Sequence, residues 1–263
     1  MKLPVSVLII TKNEEEVLEE CLRSVSSFAK EIVVVDSNST DKTITIAKKF
    51  TKNIISGKYA SFKEKRLEAL HHAHENWILF LDADERVSPE LAEEIKQEIT
   101  KKDACDGYYI PFKHYFLGKW LKHGGWYPSY LPRLAKREKA SVTNPIHELL
   151  CINGVVGYLK NDIIHLGDTS VLKRVAKTNM YTTMQAEQLY GQKQESLPIL
   201  ILKLCSLPIL RFIKIYFIKM GFLDGIRGFI RAYLYMYTWF LVYMKEIEIH
   251  QNNGKMSTEK AWI

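Results

Sequence analysis

The first hundred residues alternate four short apolar runs, at 5–10, 32–35, 53–56 and 77–81, with stretches of helical periodicity. Few architectures accommodate that order. Runs such as Ile32-Val33-Val34-Val35 are apolar on both faces, as a strand buried in a parallel sheet must be. A β-α-β-α-β-α-β order joins such strands by right-handed crossovers. The fold class expected is α/β: a Rossmann-like, mostly parallel sheet flanked by helices. Helices are predicted over 14–28, 41–50, 61–74 and 88–101. Ser88-Pro89 is the sharpest start, with serine as cap and proline in the first helical position.

Open sheets of this kind bind ligands outside the carboxyl ends of their strands, where strand order reverses. Here those ends lead into residues 11–14, 36–41 and 82–85, the most polar segments of this half. In Thr11-Lys12-Asn13-Glu14, Asn13 reads equally as a helix cap or as part of a nucleobase cradle. Asp36 is placed to accept hydrogen bonds from a base or a ribose, while Asp41 mostly caps the next helix. In Leu79-Phe80-Leu81-Asp82-Ala83-Asp84-Glu85 an apolar strand delivers two carboxylates with one residue between them. On extended backbone, residues i and i+2 point the same way, so Asp82 and Asp84 are expected to address one spot. Paired carboxylates there suit a hard divalent cation bridging to phosphate oxygens. No glycine-rich phosphate loop of either common type is present, which argues against dehydrogenases and P-loop enzymes.

The formal charge of +7 and pI near 9.0 imply an anionic partner: a nucleotide, a phosphorylated glycolipid or an anionic membrane. Nucleic acid is not favoured, because the basic residues sit among Leu, Ile and Phe and no recognition motif appears. Cys21, Cys105, Cys151 and Cys205 are scattered, and they are expected to be reduced thiols serving mainly as packing. The first apolar run is too short for a signal peptide, so a cytoplasmic location is expected. Residues 106–168 loosen into short strands and aromatic loops and are assigned to an acceptor half. Residues 196–245 are apolar but broken by Lys203, Arg211, Lys214, Lys219, Arg227, Arg231 and Lys245, against Asp224 alone. No uncharged run there reaches the ~20 residues of a membrane span. Basic amphipathic helices lying in a membrane interface are expected, with a bundle that covers the sheet as the competing reading. The resulting division is 1–105 for nucleotide binding, 106–168 for the acceptor, 169–250 helical and membrane-associating, and 251–263 a polar tail.

Taken in order, Val-Ser-Val-Leu-Ile-Ile-Thr-Lys-Asn-Glu (5–14), Val-Val-Val-Asp-Ser-Asn-Ser-Thr-Asp (33–41) and Leu-Asp-Ala-Asp-Glu (81–85) resemble a family-2 glycosyltransferase of the GT-A fold. His-Gly-Gly-Trp-Tyr-Pro (123–128), Pro-Ile-His-Glu (145–148), Lys-Asn-Asp-Ile-Ile-His (160–165) and Gly-Phe-Leu-Asp-Gly (221–225) are similar to the bacterial branch that glucosylates the lipopolysaccharide inner core. The resemblance implies an inverting transfer of a hexose, glucose from UDP-glucose first among the candidates, onto a membrane glycolipid at the cytoplasmic face of the inner membrane. Other envelope glycans or lipid carriers remain as acceptors, and a sugar nucleotidyltransferase remains as an alternative activity.

The same resemblance implies roles for residues. Thr11, Glu14 and Asp36 contact the nucleoside, and Asp82, Ala83 and Asp84 meet the donor, with Asp82 and Asp84 holding Mg²⁺ or Mn²⁺. Inversion requires a general base. Glu148 is the first choice, with Asp162 and Asp168 as rivals. His147 reads as a metal ligand, a partner of one, or a structural histidine; Trp126 and Tyr127 as a platform for a sugar face or as core. Where relatives carry Gln-Lys-Asn, this chain has Lys65-Arg66-Leu67, which leaves Arg66 to meet a phosphate and removes an asparagine contact.

Overall fold

A computed structural model describes residues 2–143, 149–167 and 170–252. The chain forms two compact units, one of residues 1–114 with 128–167 and the other of 115–127 with 168–263. The segment 106–168, read from sequence as one acceptor half, is thus shared between them.

The first unit is built on β1 (Leu3–Thr11), α1 (Leu18–Ser26), β2 (Ala29–Asp36), α2 (Thr43–Ala47), β3 (Ile54–Ser56), α3 (Phe62–His71) and β4 (Trp77–Asp82). After these come β5 (Glu85–Val87), α4 (Pro89–Ile99), β6 (Gly107–Phe116), β8 (Ser129–Lys136), β9 (Ala140–Thr143), β10 (Leu149–Ile152), β11 (Val156–Tyr158) and β12 (Ile163–His165), while β7 (Lys119–Trp120) and the last two residues of β6 belong to the second unit. The main sheet runs β3-β2-β1-β4-β8-β6-β12-β5. Its first four strands are parallel, as expected, and β8 enters antiparallel between β4 and β6. Val5, Val7 and Ile9 pack on one face with Leu18, Leu22 and Val25, while Leu8, Ile10, Val33 and Val35 pack on the other with Ala69 and Ala73. Helices on both faces explain why these strands carry no polar side.

The chain leaves β1 toward β2 and β3 on one side, then returns to β4 on the other. Register aligns Thr11 with Asp36, Ile10 with Asp82 and Asp36 with Ser56. The carboxyl ends of β1, β2 and β4 are therefore level at the switch point, where a ligand is received.

Helix starts follow local chemistry in part. Ser88 caps α4 by accepting from the Leu91 amide at 3.1 Å, with Pro89 in the first turn. Ser61 does the same for α3 through the Glu64 amide. Asp41 accepts from the Thr43 amide at 3.0 Å and from its hydroxyl, but the residue in the N-cap position of α2 is Lys42, so Asp41 makes a turn before the helix rather than the cap expected of it. Asn13 is not a helix cap. It sits at φ 55°, and its side-chain carbonyl accepts from the Thr40 amide at 2.9 Å, so α1 begins only at Leu18. Asparagine tolerates this left-handed backbone better than most residues, and here it ties the β1 loop to the β2 loop.

The second unit contains the loop 115–127, α5 (Val171–Gln192), α6 (Leu197–Ile213) and α7 (Gly225–Gln251), with a π-helical turn over Lys214–Ile218 and a 3₁₀ turn over Gly221–Asp224. Phe116, Leu121 and Leu234 form its small core, with Trp126 against them. Gly228 is obligatory for close packing, since a Cβ there would lie 1.9 Å from the Gly221 carbonyl oxygen. Among the described residues no helix is long and apolar enough to cross a membrane.

Candidate active site

The carboxyl edge of the sheet is held together by its own polar groups. Asp36 is fully buried; it accepts from the Thr11 hydroxyl at 2.9 Å, the Ser39 amide at 2.7 Å and the Ser39 hydroxyl at 2.5 Å. Its carboxylate builds the β2 loop from within. Glu14 is half-buried, and its amide donates to the Thr43 hydroxyl at 2.8 Å.

Strand β4 stops at Asp82, and Ala83 and Asp84 form a turn into β5. The expectation that the two aspartates share extended backbone is corrected accordingly, because the turn breaks the alternation that would align them. They have different partners. The Asp82 carboxylate, about a third exposed, receives Arg66 Nη2 at 2.8 Å and Arg133 Nη2 at 3.1 Å. Arg133 also reaches Glu85 Oε1 at 2.6 Å, and the other Glu85 oxygen accepts from the Asp82 amide at 2.9 Å. The two guanidinium groups lie over aromatic rings, Arg66 over Phe80 and Arg133 over Phe112. Arg66 therefore holds a carboxylate in this structure. The Nε atoms of both arginines are buried without a hydrogen-bond partner among the described residues.

Asp84 Oδ2 lies 3.2 Å from His165 Nε2, and His165 Nδ1 lies 2.8 Å from His114 Nδ1. Strand β12 makes this possible by lying between β6 and β5, with His165 level with both His114 and Glu85. Beneath the turn, the buried Arg86 donates to the carbonyls of Ala83, Glu85 and Val17 at 2.9, 2.9 and 2.6 Å, so Ala83 is fixed by its backbone.

Electrostatics separate these acids. Burial works to raise the Asp82 carboxyl, but Arg66 and Arg133 outweigh it and hold Asp82 well below the usual carboxylate range. Burial pushes Glu85 up to about 7 against the pull of Arg133. Burial lowers His165, yet the hydrogen bond and charge of Asp84 more than compensate, and its pKa lies above the ordinary histidine value.

Among the described residues no three His, Cys, Asp or Glu side chains converge to hold a metal ion. The Asp84–His165 pair nevertheless suits a divalent cation chemically. It offers a hard oxygen and an imidazole nitrogen, each on a side chain only 29% and 28% exposed, beside a strand end. Asp82 is already committed to two guanidinium groups.

Other sequence-predicted residues fare differently. Asp162 is buried; its Oδ2 pairs with Lys113 at 2.9 Å, and its Oδ1 is buried without a hydrogen-bond partner among the described residues. Trp126 and Tyr127 lie in the second unit; Arg231 sits 4.1 Å over the Trp126 ring, and Tyr127 meets Trp120 edge-on. Trp126 also packs on the core of that unit, the competing reading for it. His147, Glu148 and Asp168 lie outside the described residues. Sequence reasoning passed over Arg133, Glu85, His165 and His114 as site residues. His165 stood in the matched 160–165 segment and Glu85 directly follows the aspartates, but nothing local marks Arg133.

A mostly parallel sheet with helices on both faces and a carboxylate turn at its switch point is an α/β fold built to receive a ligand at that edge, and the family comparison names its class. The chain belongs to glycosyl transferase family 2, whose family model matches residues 6–153 of the 263. It is 28% identical over 269 residues to an uncharacterized glycosyltransferase of Rickettsia bellii, covering 97% of this chain and 90% of the relative. It is 26% identical over 273 residues to the lipopolysaccharide core biosynthesis glycosyltransferase LpsC of Rhizobium meliloti, covering 99% and 98%. Among solved structures it is similar to S. aureus TarS 1–349 in complex with UDP-GlcNAc, at 16% identity and TM-score 0.48 over 100% of this chain and 98% of that one.

Proposed function

We propose that this glycosyltransferase moves a hexose, with inversion, from a uridine diphosphate sugar to a membrane-borne glycolipid of the lipopolysaccharide core type, at the cytoplasmic face of the inner membrane. UDP-glucose is the first donor to test. The observation that carries the reading is the turn at Asp82–Asp84, which sits at the sheet's switch point between buried arginines and a histidine. The full-length likeness to LpsC supports the acceptor class.

In this reading the edge formed by Thr11, Glu14 and the loop organised by Asp36 receives the nucleoside. Asp84 and His165 hold Mg²⁺ or Mn²⁺, which when bound neutralises the diphosphate leaving group. Arg66 and Arg133 keep Asp82 ionised and fixed. Glu148 takes the proton from the acceptor hydroxyl as that oxygen bonds to the anomeric carbon and the bond to the diphosphate breaks. His147 assists metal binding.

The deciding test is binding of a nucleotide-sugar panel, with and without Mg²⁺ or Mn²⁺, to the wild type and Asp84→Ala. Metal-dependent binding of one uridine sugar, lost in the variant, supports the reading. Tight binding that ignores both metal and Asp84 would end it.

A further inference from the structure

We propose that the cavity of the second unit binds the phosphate of an anionic membrane-lipid headgroup, while exposed apolar side chains of the same unit enter the acyl region. The proposal is independent of the catalytic reading. The cavity encloses about 470 Å³ and is lined by Gly124, Trp126, Arg211, Lys214, Lys219 and Tyr235, among others.

Its walls are built. Asp224 accepts from the amides of Lys122 and His123 at 3.2 and 2.9 Å and meets His123 Nδ1 at 3.0 Å, anchoring the loop. The Gly124 amide donates to the Lys219 carbonyl at 2.8 Å. Gly125 has φ 80°, and a Cβ there would lie 2.5 Å from Lys219 Nζ, so only glycine lets that amine rest against the loop. The Arg211 guanidinium is oriented by the Trp239 ring, 3.6 Å away.

Charge and surface point to the occupant. Among the described residues no carboxylate pairs with Arg211, Lys214 or Lys219, whereas Lys203 of the same region is paired with Glu195. Asp224 is spent on the loop. Three unneutralised cations on a cavity wall complement a phosphate. Leu210 lines the same cavity and is 57% exposed, and Leu202, Ile209, Phe217, Ile218 and Ile226 of the same helical unit are also exposed. A soluble phosphate has no use for that apolar surface; a lipid does.

The test is flotation of the full chain with vesicles of phosphatidylcholine alone and of phosphatidylcholine with phosphatidylglycerol. Wild type is expected to prefer the second, and K214Q/K219Q to lose that binding about 30-fold. Leu207→Trp, which fills the cavity without changing charge, should remove the preference as well. K48Q/K52Q, in the first unit, should bind as wild type does. Circular-dichroism spectra and melts matching wild type report that the variants are folded, and nucleotide-sugar binding measured alongside separates failure here from failure of the catalytic reading. Three outcomes overturn the proposal: equal binding to both vesicle types, an equal loss in the control pair, or glycerol phosphate in solution binding as tightly as the vesicles.

Discussion

Replacing Arg133 by methionine removes the cation that serves Glu85 at 2.6 Å and Asp82 at 3.1 Å, from a pair whose side chains are only 9% and 3% exposed. Asp82 keeps Arg66 and some solvent, so most of the cost falls on Glu85. Removing one partner of a buried pair costs about 3–5 kcal/mol, and the retained partner of Asp82 argues for the lower end, about 3 kcal/mol at pH 8. Glu85 has an escape, because it can take up a proton. Its pKa, already pushed up to about 7, rises further without Arg133. Between the unfolded and folded values the native state binds more protons than the unfolded one, so stability falls as pH rises, by up to about 1.4 kcal/mol per pH unit. At pH 5.5 the carboxyl is protonated in wild type and variant alike; the two differ in proton uptake only over the one unit between pH 7 and 8, so the deficit should shrink by up to about 1.4 kcal/mol, to about 1.6 kcal/mol. Thermal melts followed by circular dichroism should show a Tm drop of roughly 6–12 °C at pH 8 and about half of that, roughly 3–6 °C, at pH 5.5. Adding Glu85→Gln should recover most of the loss at pH 8. A deficit independent of pH, or no rescue by Glu85→Gln, would refute the reasoning.

Three further outcomes are expected. Asp84→Asn should abolish sugar transfer while leaving the fold intact; in chelator, the His165 pKa measured by NMR should fall. Since a raised histidine pKa stabilises below about 6.5 and is lost as pH climbs through the folded value, the variant should be weakened more at pH 5.5 than at pH 8.5. The Cys21 thiol, buried and shifted far upward by burial, should resist iodoacetamide in the native protein, while the exposed Cys205 reacts first; rapid labelling of Cys21 would contradict the packing of α1 on the sheet. Ser88→Ala should cost about 1 kcal/mol in a chemical melt and Ser88→Asp close to nothing, since the cap needs only an oxygen for the Leu91 amide.

The apolar runs of the first hundred residues determined the strands, their burial on both faces and their parallel pairing. Hydrophobicity and branching act within a few residues, and so did the Ser88-Pro89 helix start. The delivery of Thr11, Asp36 and Asp82 to one edge was equally local, because each ends its own strand. The site's electrostatics were not local. Arg133 meets Glu85 and Asp82 across 48 and 51 residues of sequence, and His165 meets Asp84 across 81. Those pairs exist because β8 enters beside β4 and β12 lies between β6 and β5, in registers that no short-range pattern encodes. The same holds for Asn13, whose side chain serves a loop 27 residues away instead of its own helix. Sequence alone determined which residues reach the edge of the sheet. The tertiary structure decided which of them are paired, neutralised or left to act, because an ion pair depends on distance and burial, and strand order sets both.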